Sequence, residues 1–174
     1  MPFWKQGRGS RSTATEGSAA RELAPVLQPI QVFMVDRHVE GWIVAVEERV
    51  TDLLNRRDVL RVCTDAASDS WETIESDQIL IVAPPERASD PQRRVHRQRH
   101  RLMALVGPYV ITGVAHLQPG TGLDPYLLRT RQHFLPMTSV SLTHRTDPSF
   151  EQELPVAIIN VANLDELRGL LTVV

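Results

Sequence analysis

The residues best placed to do chemistry form the run Arg93-Arg94-Val95-His96-Arg97-Gln98-Arg99-His100-Arg101, which contains no acidic residue. If this run enters a β-strand, alternation puts Arg97, Arg99 and Arg101 on one face and His96, Gln98 and His100 on the other. A row of arginines can grip the phosphates of a nucleic acid or an acidic protein surface. The bland reading is a solvated strand facing an acidic neighbour. Arg93, Arg94, Arg97, Arg99 and Arg101 are therefore the candidate residues for binding a partner or a nucleic acid.

The other chemical groups make weaker constellations. His96 and His100 are four apart, a metal spacing only on a helix, and no HExxH or Cys/His pattern accompanies them. Asp65, Asp69, Glu72, Glu75 and Asp77 crowd around Trp71 without the ordered spacing of a calcium loop, and read as a solvated acidic loop. Gln118-Pro119-Gly120-Thr121-Gly122 lacks the lysine of a phosphate-binding loop and reads as a turn. His116 and His133 flank that region, and each is a general base in principle. No paired carboxylates, GxSxG elbow or nucleotide-binding glycine loop is present. No catalytic residue, cofactor or metal is assigned, and the expectation is a non-enzymatic protein.

The elements that would position these residues come in two similar sets. Leu53-Leu54-Asn55-Arg56-Arg57 is answered 74 residues later by Leu127-Leu128-Arg129-Thr130-Arg131. The same offset lays Leu60–Ala66 on Phe134–Val140. Upstream, Val39–Val44 falls beside Val110–Ala115, with Gly113 in the place of Gly41. Downstream, Trp71 falls on Phe150, and Ile79–Ala83 on Ile158–Ala162. Self-similarity of this kind shapes the whole fold reading.

Within each set the grammar is β. Gln31–Val35 and Val39–Val46 are β-branched and aromatic runs joined by an Asp36-Arg37-His38 turn. Gly41 and Gly113 mark bulges or sharp bends. Thr51 caps a short helix that Asn55 ends in a left-handed conformation, and Asp124-Pro125 opens its counterpart. Leu60–Ala66, Gln78–Ala83, Phe134–Leu142 and Val156–Val161 read as strands. Asn163 to Glu166 fits a capping box opening a short C-terminal helix with Leu164, Leu167 and Leu171 on one face. Trp42, Trp71, Phe134 and Phe150 are expected to fill the two cores, Trp42 being the one most open to surface exposure because Glu40 and Val44 share its strand face.

Composition narrows the class. The 174 residues include 42% hydrophobic types, enough for a core, and a single cysteine, Cys63, which excludes an internal disulfide and reads as a small buried hydrophobe. No apolar run is long enough for a membrane helix, and the stretch from Met1 to Arg21 lacks a secretory apolar core. A cytoplasmic location is the default expectation. The net charge of -2 is unevenly spread. Residues 29–85 carry five bases and eleven acids, and residues 86–102 carry six bases and two acids. All but one of the basic residues are arginine, Lys5 being the exception; a bias this complete looks like codon usage rather than phosphate recognition.

The segments Val110-Ile111-Thr112-Gly113-Val114-Ala115-His116-Leu117, Phe134-Leu135-Pro136-Met137-Thr138 and Thr51-Asp52-Leu53-Leu54-Asn55 resemble an uncharacterised bacterial domain family. Its members carry ITGxxH, FLPMT-like and DLLN motifs in small β modules, often in tandem. The likeness spans about residues 30 to 162, and it implies fold without implying site residues. Leu60-Arg61-Val62-Cys63-Thr64 departs from the FLPMT pattern.

The reading is thus a mainly β protein of two tandem, strongly bent small sheets or partial barrels, Sm-like in shape, with short helices and a pseudo-twofold relation. Residues 1–28 form a disordered tail, whose Phe3 and Trp4 could dock on a partner or a membrane surface, the blander reading being a loose terminus. Residues 29–85 form the first module, 86–95 a basic linker, and 96–174 the second module with its C-terminal helix. Open strand edges must be paired or covered, so a scaffold or protein-interaction role is expected, through homo-oligomerisation or an added partner strand. An RNA- or DNA-binding module using residues 93–101 is the alternative.

Overall fold

A computed structural model of the chain describes residues 27–44, 49–85, 97–119 and 133–170. The aromatic tip, the residues 86–96 that hold Arg93, Arg94 and His96, and the expected second helix after Asp124 lie outside the described residues. In chain order the elements are β1 (Leu27–Phe33), β2 (His38–Val44), α1 (Val50–Arg56), β3 (Val59–Asp65), β4 (Ser70–Glu75), β5 (Ile81–Ala83), β6 (Gln98–Val106), β7 (Tyr109–Leu117), β8 (Phe134–His144), β9 (Glu151–Asn160) and β10 (Leu164–Gly169).

The expected mainly β class holds, but the expected pair of separate sheets does not. All ten strands join one curled, antiparallel half-barrel sheet in the order β10-β6-β7-β8-β9-β5-β1-β2-β3-β4. The join is β5 against β9, with Ile81 opposite Ile159 and Val82 opposite Ile158. Ile79–Ala83 and Ile158–Ala162, expected to be counterparts, are instead hydrogen-bonded neighbours along part of their length. Joining them satisfies two strand edges that separate sheets would leave open.

The join also explains why these runs do not alternate. Ile81, Ala83, Ala157 and Ile159 belong to one buried cluster with Phe33, Leu102, Ile111, Leu135, Met137 and Leu142. Val82 and Ile158 belong to a second cluster with Ile30, Val32, Leu53, Leu60, Val62, Ile74 and Phe134. The β9-β5-β1 region is a wall between two cores. Strands buried on both faces read as continuous apolar runs. By contrast β2 faces one core only, so His38, Glu40, Trp42 and Val44 are exposed while Val39, Gly41 and Ile43 are buried.

The bends fall where the glycines predicted. A Cβ on Gly41 would sit 2.4 Å from the Cys63 carbonyl oxygen. On Gly113 it would sit 3.2 Å from the Thr138 carbonyl oxygen and 2.9 Å from Val140, and the β7–β8 register shifts there. Opposite, Ser139 takes a positive φ of 52° and faces Pro155, where the β8–β9 ladder skips a pair. Glycine, left-handed serine and proline thus line up across three strands and let the sheet fold sharply.

Two helix expectations are corrected. Residues after Asn163 form β10, not a helix. Leu164 and Leu167, three apart, both pack against the first core. A helix would achieve that, and so does a strand with one extra residue: the β6–β10 register shifts between Leu164 and Glu166. The open edge of β6 supplies the backbone partners that decide in favour of the strand. In α1, Arg49 rather than Thr51 is the N-cap, without a side-chain bond, and Asn55 lies inside the helix instead of ending it.

Candidate functional site

Three surfaces gather the polar chemistry of the described residues. The first is the outer face of β6–β7–β8. Arg97 precedes β6, and Arg99 and Arg101 lie on it; all three are exposed, as the alternation predicted. Arg99 sits opposite His116 in the ladder. The His116 Nε2 lies 2.9 Å from the Thr138 hydroxyl. Burial, then the charges of Arg99 and Arg97, hold the His116 imidazole below its ordinary pKa. The face is therefore a short cationic row beside a histidine whose neutral form is favoured. His100 points towards the core side and is only half-buried, with its Nε2 enclosed.

The second surface is a cleft of about 820 Å3 where the two halves of the sheet meet. Arg56, Arg57, Asp58, Glu75 and Asp77 carry charges of both signs around it, with His133 at the rim, over a floor that includes Leu54, Phe134 and Asn160. Asparagines hold it together. The Asn55 Oδ1 accepts from the backbone N–H of His133 at 2.8 Å and of Phe134 at 3.1 Å, and its Nδ2 donates to the Thr51 carbonyl at 2.8 Å. Asn160 Nδ2 donates to the carbonyls of Ile79 at 2.9 Å and Ser76 at 3.1 Å, while its Oδ1 accepts from Ala162 N–H at 3.0 Å. Asn163 Nδ2 adds bonds to Asp77 and Ile79 carbonyls at 2.8 and 3.2 Å. Each side-chain amide thus ties one half of the chain to the other.

Sequence reasoning missed this set. The available signal was Asn160, a polar residue closing the apolar run Val156–Ile159; a buried amide must find partners. His133, weighed as a general base, contributes its backbone N–H to the Asn55 bond and an exposed side chain at the cleft rim.

The third surface is the pair of sheet edges. Among the described residues β4 and β10 each pair on one side only. Three of the acidic residues around β4 have side-chain partners. Asp65 accepts from Ser68 Oγ and Ala67 N–H, and these bonds hold its carboxyl below the usual range. Asp69 accepts from the Trp71 indole at 2.6 Å, and Glu72 is ion-paired with Arg37. Trp71, expected in a core, is half-buried on the outer face with Arg61 stacked 5.2 Å from its ring centroid. Its indole N–H and its polar neighbours keep it there. Trp42, read with the core aromatics but singled out for surface exposure, is exposed; Phe134 is buried as expected, and Phe150 packs edge-on to Phe33 and beside Tyr109 and His144. No group of three or more His, Cys, Asp or Glu side chains is placed to hold a metal ion among the described residues. Nor is any helix among them long and apolar enough to cross a membrane.

Compared with known proteins, the chain matches no family model, no curated protein and no solved structure.

Proposed function

We propose that this protein is a non-enzymatic scaffold built from a duplicated, strongly bent β module of Sm-like outline, and that it engages protein partners through its open strand edges. The observation that carries the reading is the presence, among the described residues, of two such edges, β4 and β10, at the ends of the sheet. Unpaired strand edges present rows of N–H and C=O groups that seek a partner strand.

Support for the duplication comes from strand order. The first half runs β5-β1-β2-β3-β4 and the second β10-β6-β7-β8-β9, the same path in both. The two glycines supply a register: each presses on a carbonyl of the next strand, Cys63 and Thr138 respectively. That match sets Leu60 and Val62, buried in one core, against Leu135 and Met137, buried in the other. It moves the equivalence one residue beyond the ungapped offset of 74, which would have swapped sheet faces. The motifs that resemble the uncharacterised bacterial family fall on α1, β7 and the start of β8.

A second reading has its own observation, the exposed row Arg97, Arg99 and Arg101, which suits a phosphate backbone.

One experiment separates the readings. The full chain and a Thr73→Pro/Leu167→Pro variant are used as baits in host lysate, with and without nuclease and at two salt concentrations. The scaffold reading expects protein partners that survive nuclease and are lost with the edge variant. Partners that vanish with nuclease, or that bind both baits equally, would overturn it.

A further inference from the structure

The geometry points to a second copy of this chain as the occupant of the edges: β4 of one molecule pairs antiparallel with β10 of the next, head to tail. This inference rests on the duplicated-module reading above and deepens it by naming the partner.

The template is inside the molecule. The internal join brings β9 of the second half against β5 of the first. In the strand order, β4 holds the place in the first half that β9 holds in the second, and β10 the place that β5 holds in the first. The two free edges are thus the counterparts of the two strands that already pair.

The ladders carry that join over residue by residue. Cys63 pairs with Trp71, and its counterpart Thr138 pairs with Val156. Trp71 therefore answers to Val156, and Thr73 to Ile158. On the other side, Gly41 pairs with Ile30 and Gly113 with Leu102, so Val32 answers to Ala104. Val32 pairs with Val82 and Ala104 with Leu167, so Leu167 answers to Val82. The internal pair Val82–Ile158 then becomes Leu167 of one molecule opposite Thr73 of the next. The neighbours follow as Arg168 opposite Glu72 and Glu166 opposite Ile74.

The backbone is oriented for this pairing on both edges. The Ser76 N–H donates to the Asp58 carbonyl across β3–β4, so alternation along β4 turns Thr73 outward. The Leu170 N–H donates to the Arg101 carbonyl across β6–β10, so alternation turns Leu167 outward. The two residues that the template puts face to face are the ones whose backbone groups point off the sheet. Chemistry agrees with register: Arg168, ion-paired within its own strand to Glu166, faces Glu72, ion-paired to Arg37, and opposite charges facing across strands are favourable, so the contact extends these pairs into one network. The bulge between Leu164 and Glu166 takes Asp165 out of the ladder, which limits its approach to Glu75. A contact of this kind uses different surfaces on the two molecules, so it propagates into a ring if the rotation closes and a filament if it does not.

The test uses the full chain. Sedimentation and light scattering across a concentration series are expected to show reversible assembly of the native protein. Proline at an outward N–H removes an edge donor without touching the internal ladder, so Thr73→Pro and Leu167→Pro are each expected to be monomeric. Mixed one to one, they are expected to form a heterodimer that grows no further, because each supplies the one intact edge the other needs. A second pair does not depend on proline tolerance. Glu72→Cys and Arg168→Cys chains, mixed under mild oxidation, are expected to form a disulfide between unlike chains, Cys63 being buried. A native chain that stays monomeric at every soluble concentration overturns the inference, as does dimerisation of Leu167→Pro alone or crosslinking of Glu72→Cys with itself. Such results would still leave the scaffold reading to be decided by whether edge variants lose partners from lysate.

Discussion

Asn160 allows a quantitative check on what fastens the two halves together. It is the one buried polar residue among those described, 3% exposed, and its side chain makes three hydrogen bonds, to Ile79, Ser76 and Ala162. Replacing it with alanine removes all three. A net hydrogen bond contributes about 1 kcal/mol, and a buried group left without a partner costs roughly 1–3 kcal/mol. The Ile79 carbonyl keeps its bond from Asn163, and half-buried Ser76 can turn to water, so the loss should be about 2–3 kcal/mol. Asn163→Ala alone should cost about 1 kcal/mol, since Asp77 is exposed and the Ile79 carbonyl keeps Asn160. In the double variant the Ile79 carbonyl loses both donors. The two changes should therefore be more than additive, by about 1 kcal/mol. Urea denaturation read by circular dichroism measures all four proteins, with a common slope expected if the unfolded state is unchanged. Strict additivity, or an Asn160→Ala loss below about 0.5 kcal/mol, would refute the argument that these amides clamp the seam.

Further outcomes follow from other contacts. Gly41→Ala should be strongly destabilising, by at least about 3 kcal/mol, because its Cβ would lie 2.4 Å from the Cys63 carbonyl oxygen; Gly169→Ala, with nothing within 4 Å, should stay within about 0.5 kcal/mol in the same denaturation assay. His116 has a folded pKa below its unfolded value, so its contribution to stability is full above the unfolded pKa and is lost as pH falls through the folded pKa. An NMR titration should show its pKa rising towards the ordinary range in Arg99→Gln. If the arginine face binds nucleic acid, Arg97→Ala/Arg99→Ala/Arg101→Ala should weaken binding and flatten the log–log salt dependence by up to about three units; an unchanged slope in a fluorescence anisotropy titration would remove that reading.

Much of the fold was legible in residue order because it is local. The alternation of His38, Glu40, Trp42 and Val44 against Val39, Gly41 and Ile43 announces a half-buried strand, and Gly41 and Gly113 announce bends. The arginine row was legible for the same reason: alternation alone settles which of Arg97, Gln98, Arg99, His100 and Arg101 share a side. Local pattern names a strand's face, though, and not its neighbour. Ile79–Ala83 and the run ending in Asn160 looked like copies of each other, and only the sheet revealed them as partners whose alternate residues enter two different cores. Leu164 and Leu167 carried a helical spacing that a single bulge, imposed by the waiting edge of β6, turned into a strand. Asn55, Asn160 and Asn163 gained their roles from carbonyls and N–H groups about 80 residues away in sequence. Strand pairing is a contact between distant residues, so composition and periodicity determined the kind of element at most positions, while tertiary packing decided which edges met and which were left open.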